Sequence, residues 1–100
     1  MVHPNLNGYY IKFKSNAYNA FLDLEENDHL KIRKKIECLT SNSSSLNIKK
    51  LKSQKINLYR LKVGNFRVIY SIEHEKILIW IIAIGPRKNV YKKINRILNI

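Results

Sequence analysis

The sequence predicts an α+β fold: a small, mainly antiparallel four-stranded sheet with two N-terminal helices packed on one face. Three observations predict it. Residues 58–70, LYRLKVGNFRVIY, read as two strands joined by Gly64-Asn65, a dipeptide suited to a two-residue hairpin turn. Residues 77–84, ILIWIIAI, are a near-continuous apolar run rich in β-branched residues, the pattern of a central strand covered on parts of both faces. Two stretches of helical periodicity precede them, and tight hairpin connections force antiparallel pairing.

In chain order, Tyr9–Phe13 alternates as a first strand. Ser15 can cap the helix that follows, in which Ala17, Phe21 and Leu24 recur at helical spacing. Asp28 can cap a second helix running to about Leu39, with Leu30, Ile32, Ile36 and Leu39 as its apolar stripe. Lys31, Arg33, Lys34 and Lys35 lie between these positions and read as a solvated face. Thr40–Ser45 is a polar loop too short to separate domains, so residues 1–100 are expected to form one domain. Lys49, Lys50, Lys52 and Lys55 then fall in an irregular or weakly extended segment.

In the hairpin, a two-residue turn sets Val63 against Phe66, Leu61 against Val68 and Tyr59 against Tyr70, making one apolar face. The other face carries Lys62 opposite Arg67, with Arg60 opposite Ile69. Gly85-Pro86 ends the last strand, because Pro86 cannot donate a ladder hydrogen bond. Val90–Leu98 reads as a short basic helix with Ile94, Ile97 and Leu98 as an apolar edge. The basic hairpin face is expected to lie on the side of the sheet away from the two N-terminal helices.

Charge points to the partner. The chain holds 19 Lys/Arg and 7 Asp/Glu, a net +12. Residues 1–42 balance six cations with five anions, whereas residues 43–100 set thirteen against Glu73 and Glu75 alone. A basic half on a folded domain implies a polyanion. Like charges placed opposite each other destabilise a sheet, so the Lys62–Arg67 pair anticipates an anion between them.

Other chemistries find little support. Cys38 is alone and reads as a small buried helix residue. His3, His29 and His74 have no partner at ligand spacing, so no metal is expected, and three glycines build no phosphate loop. No nucleophile elbow is present, and Glu73 and Glu75 beside a turn do not make a paired-carboxylate site. The N-terminus shows no signal peptide, and the longest apolar run, eight residues, is too short to span a bilayer. A cytoplasmic protein with no membrane contact and no cofactor is expected.

What remains is a cationic cluster with an aromatic neighbour: Arg60, Lys62, Arg67, Arg87 and Tyr91. Arginine forks bind phosphate oxygens and a tyrosine ring can stack on an exposed base. These are parts for holding single-stranded RNA and steadying charge at one phosphate, with Lys49, Lys50, Lys52 and Lys55 as further substrate contacts. A basic nucleic-acid-binding module without catalysis has the same signature.

The segments LYRLKVGNFRVIYSI and IIAIGPRKNVY resemble the RelE/ParE superfamily of bacterial type II toxin–antitoxin toxins, the RelE branch in particular, most clearly from Leu51 to Tyr91. The resemblance implies a RelE-like fold and a ribosome-dependent mRNA interferase that cuts mRNA in the ribosomal A site without a metal. In that family the substrate's own 2′-hydroxyl attacks the adjacent phosphate, leaving a 2′,3′-cyclic phosphate and a 5′-hydroxyl. Carried over by position, Lys62 is the general base, Arg67 stabilises the phosphorane, Arg87 is the acid for the leaving oxygen, and Tyr91 is the stacking platform. Arg60 matches the other basic position of the strand before the turn. Its cationic neighbours and desolvation are expected to lower the lysine pKa at Lys62 from its usual ~10.4. Arg60 stands where the best-known members have lysine, and the interval from Arg87 to Tyr91 is shorter than theirs. No His or Glu stands at the catalytic positions of the YoeB-like branch. The implied partners are a small acidic antitoxin, the ribosome with its RNA, and mRNA, with operator DNA reached only through the antitoxin complex. The alternative within the superfamily is a ParE-like poison of DNA gyrase that cuts no RNA.

Overall fold

The structure is a computed structural model that describes residues 3–41, 45–52 and 56–98, with residues 97 and 98 described by their backbone alone. Its elements are β1 (Tyr10–Phe13), α1 (Ser15–Leu22), α2 (Glu26–Cys38), β2 (Asn47–Leu51), β3 (Leu58–Val63), β4 (Phe66–Glu73), a 3₁₀ turn at His74–Lys76, β5 (Leu78–Pro86) and α3 (Arg87–Leu98). The sheet order is β1-β5-β4-β3-β2. β1 runs parallel to β5, and every other pair is antiparallel.

The α+β class and the placement of α1 and α2 on one face agree with the sequence reading. The strand count is corrected from four to five by β2, which occupies the segment read as irregular. Only Ile48 and Leu51 are apolar among its five residues, so its side chains announce no alternation. Its backbone pairs with β3, and Ile48, opposite Leu61, extends the apolar face by one strand. Lysines on such an edge strand also discourage pairing with a foreign strand.

The hairpin register is the expected one: Tyr59↔Tyr70, Leu61↔Val68, Lys62↔Arg67 and Val63↔Phe66. Gly64 supplies the positive φ, +57°, and Asn65 does not share it, the pattern of a type II′ turn. Tyr59, Leu61, Val63, Val68, Tyr70, Ile79 and Ile81 form the first face, closed by Ala17 and Phe21 of α1 and by Ile32 and Ile36 of α2. Phe13 and His29 stack on the two sides of this contact through Phe21.

β5 serves both faces. Its register with β4 slips between Ile69↔Ala83 and Tyr70↔Ile81, so Ile82 is an extra residue. Ile82 and Ala83 both join a second core with Leu58, Ile69, and Val90 and Ile94 of α3. The second face is therefore capped at its centre by α3. That helix begins at Arg87, earlier than the Val90 start its composition suggested.

Helix starts also differ from expectation. Lys14 and Glu25 occupy the N-cap positions, without side-chain caps, in place of Ser15 and Asp28. The Lys14 N–H is tied instead to the Ile81 carbonyl at 2.9 Å, so the sheet fixes where α1 begins. Cys38, the last residue of α2, is half-buried rather than buried.

The N-terminal arm has a role in the core that the sequence did not disclose. Leu6 is buried, and His3 Nε2 lies 2.8 Å from the hydroxyl of fully buried Tyr70. A buried hydroxyl without a partner is costly, and His3 provides one. Burial, with a smaller contribution from Tyr59, pushes the Tyr70 hydroxyl pKa well above its ordinary value.

Candidate nucleic-acid interface

Alternation on the strands decides which cations meet. On the second face, Asn47, Lys62, Arg67 and Gly85 form one row across β2, β3, β4 and β5. Lys49, Arg60, Ile69 and Ala83 form the next row, two residues along each strand and roughly 6.7 Å away. Lys49, Arg60, Lys62 and Arg67 thus share one corner of the sheet. Lys50 pairs with Tyr59 and belongs to the first face, apart from them. Lys52 lies exposed just beyond β2, and Lys55 falls outside the described residues.

The two arginines of the corner differ in depth, Arg67 being buried and Arg60 half-buried. Arg67 is 7% exposed. Its Nη1 donates to the carbonyls of Gly64 at 3.0 Å and Phe66 at 2.9 Å, which turns the guanidinium back toward the hairpin end. Arg60 Nη2 donates to Asn47 Oδ1 at 2.8 Å. The Nε atoms of both arginines are buried without a hydrogen-bond partner among the described residues. Lys62 is exposed, so the desolvation anticipated there is absent from the free protein.

Among the described residues no carboxylate forms an ion pair with these cations. The described ion pairs, Arg33–Glu37 and Lys76–Glu73, lie elsewhere. A buried cation with no counter-charge is expensive, and an incoming phosphate would offset that cost. The corner is polar, cationic and open, which suits a polymer passing over it better than a small molecule enclosed in it. A cleft of about 550 Å³ sits at the opposite end of the same face, around Trp80, Ile82 and Ile56. There Lys14 Nζ lies 3.9 Å over the Trp80 ring, and the Trp80 indole N–H donates to Glu73.

α3 brings the last two sequence-predicted residues alongside. The Arg87 N–H donates to the Asn65 carbonyl at 3.3 Å, tying the start of α3 to the hairpin turn. Tyr91 lies one turn on, so it shares a flank of α3 with Arg87. It is half-buried against the second core. Lys93 occupies the other flank, with its ammonium toward Gly85 and the cleft beside α1. The sequence reading missed Asn47, because nothing marked β2 as a strand beside β3.

Among the described residues no three His, Cys, Asp or Glu are grouped to hold a metal ion, and no helix is long and apolar enough to cross a membrane. The histidines have structural partners: His29 Nδ1 meets the Phe21 carbonyl at 3.1 Å and His74 Nδ1 the Tyr9 hydroxyl at 2.8 Å.

Comparison with known proteins bears on the fold and the family. The family model described as the ParE toxin of type II toxin–antitoxin systems, parDE, matches residues 10–91. A RelE–RelB complex from Pyrococcus horikoshii OT3 aligns with TM-score 0.67 at 24% identity over 79% of this chain and 94% of that one. Isolated E. coli RelE toxin aligns with TM-score 0.64 at 25% identity, over 90% and 99% of the two chains. The RelB–RelE complex from Methanococcus jannaschii gives TM-score 0.64 at 26% identity, over 81% and 95%. A comparison with curated protein sequences finds no match. The fold is RelE-like, and the chain belongs to the ParE toxin family of type II toxin–antitoxin systems, within the RelE/ParE superfamily.

Proposed function

We propose that this toxin is a ribosome-dependent mRNA endoribonuclease of the RelE type, acting in the cytoplasm on mRNA in the ribosomal A site. The observation that carries the reading is Arg67, a buried arginine with no counter-ion among the described residues, in line with Lys62 on the open face of the sheet. In this reading Lys62 takes the proton from the 2′-hydroxyl as that oxygen attacks the adjacent phosphorus. Arg67, with Arg60 beside it, stabilises the charge that builds on the phosphorane oxygens. The 5′ oxygen leaves as Arg87 donates to it, and a 2′,3′-cyclic phosphate remains. Tyr91 stacks on a base, and Lys49 and Lys52 neutralise flanking phosphates. The ribosome holds the 2′-hydroxyl in line, which makes free RNA a poor substrate.

The partner is a small acidic antitoxin, supported by the RelB chains seen with the structural relatives. It would cover the cationic corner, and operator DNA would be contacted through that complex. The name of the matching family model favours a second reading, a ParE-type toxin that poisons DNA gyrase. Mapping cleavage of a defined mRNA, with and without programmed ribosomes, separates them. Cuts at the A-site codon only with ribosomes, lost in Arg87→Ala, are expected. Intact mRNA from protein that still arrests growth and induces DNA damage signalling would favour gyrase.

A further inference from the structure

We infer that Asn47 is a positioning residue for the RNA phosphate site, acting through Arg60; the inference rests on the RNA-directed reading above. Asn47 opens the edge strand β2 and is the cross-strand partner of Lys62, in the row that contains Arg67. Its Oδ1 accepts from Arg60 Nη2 at 2.8 Å. A guanidinium can only donate, so Arg60 fixes which end of the Asn47 amide faces it. Arg60 belongs to the neighbouring row, beside Ile69 and the apolar seat of α3, and its Nε is buried without a partner. The Asn47 contact is the described polar anchor of this guanidinium. It draws the fork out of its own row toward the row of Lys62 and Arg67, so that three cations converge on one anion.

A neutral anchor suits this task. A carboxylate at position 47 would hold Arg60 equally well, but it would cancel its charge and repel a phosphate at the same spot. Asn47 orients the arginine without neutralising it. Asn47 is also exposed, so truncating it leaves both cores intact.

The test is a double-mutant cycle on binding of a short single-stranded RNA made uncleavable by one 2′-deoxy substitution, read by fluorescence anisotropy, with thermal melting of each variant. Asn47→Ala is expected to weaken binding about tenfold with an unchanged melting temperature, as is typical for losing a hydrogen bond to a charged group. Arg60→Ala should weaken it at least as much, and the double variant should be no worse than Arg60→Ala alone. Additive losses, or wild-type affinity in Asn47→Ala, would overturn the role of Asn47. If the wild-type protein still cuts ribosome-bound mRNA in that case, the endoribonuclease reading stands without it. Wild-type protein that neither binds this RNA nor cuts on the ribosome would overturn both.

Discussion

The two faces of the sheet are made from alternate residues of the same strands, and they are built to opposite ends. Leu61 is fully buried under α2, and Lys62, the next residue, is exposed on the other side. The first face is closed over its centre by α1 and α2, and the hydroxyl of fully buried Tyr70 is met there by His3. The second closes where Val90 and Ile94 of α3 sit on it, leaving a corner whose arginines have buried Nε atoms without partners among the described residues. Stability is therefore concentrated on one side of the sheet and unspent electrostatic energy on the other. A fold organised in this way can hold cations without counter-ions on one face without coming apart.

Adjacent substitutions should separate the two roles most sharply. Leu61→Ala is expected to destabilise the protein by about 3 kcal/mol through loss of buried contacts and the cavity left behind. Lys62→Ala should move stability by no more than ~0.5 kcal/mol, as surface changes do, while abolishing cleavage. Chemical denaturation of both variants beside the mRNA assay checks the contrast. Equal losses of stability would erase the distinction between the faces.

Arg67→Met should go further, stabilising the fold by about 1 kcal/mol because a buried uncompensated charge is replaced by an apolar side chain. Its activity should vanish. A comparable gain, ~1 kcal/mol, is expected from Ile77→Gly, outside the corner. Ile77 holds φ at +47°, a left-handed conformation that a β-branched residue strongly disfavours and glycine does not. Unlike Arg67→Met, this variant should keep full activity, so thermal melts with cleavage assays would show whether stability and function trade only at the cationic corner.

A smaller effect tests the first face by pH. Burial holds the His3 imidazole below its ordinary pKa, against a weaker opposing pull from the Pro4 backbone. The unfolded chain therefore binds the proton first as pH falls. This contribution to stability is full above about pH 6.5 and is lost as the solution is acidified below it. His3→Gln, which keeps a hydrogen-bond partner for the Tyr70 hydroxyl without titrating, should flatten that part of a melting curve series. An unchanged acid slope would remove His3 from the account. On the second face the matching measurement is salt: Lys62→Ala should reduce the log–log salt slope of RNA binding by ~0.7 for one lost phosphate contact.

The hairpin and its facing were legible in the sequence because period-2 alternation and the Gly64-Asn65 turn agree with each other. So was the burial of β5, whose apolar run is too long for a one-sided strand. The strand β2 was not legible, because Asn47, Lys49 and Lys50 carry no apolar pattern and the segment is a strand only by virtue of β3 beside it. This is also why Asn47 went unnoticed and why Lys49 and Lys50, adjacent in sequence, were not separated onto opposite faces. His3 was read only as an isolated histidine without a partner at ligand spacing, since its partner Tyr70 lies 67 residues away. Helix caps failed for a related reason: β1 and its tie to Ile81 set where α1 starts, and the local residue preference did not.

The most direct measurement is end-group analysis of a defined mRNA on programmed ribosomes, comparing wild-type protein with Arg67→Met. The expected result is a 2′,3′-cyclic phosphate at the A-site codon with wild-type protein and none with the variant, although the variant melts at the same temperature or higher. Cleavage by Arg67→Met at the wild-type rate would contradict the claim that the open face of this sheet is where phosphate chemistry occurs.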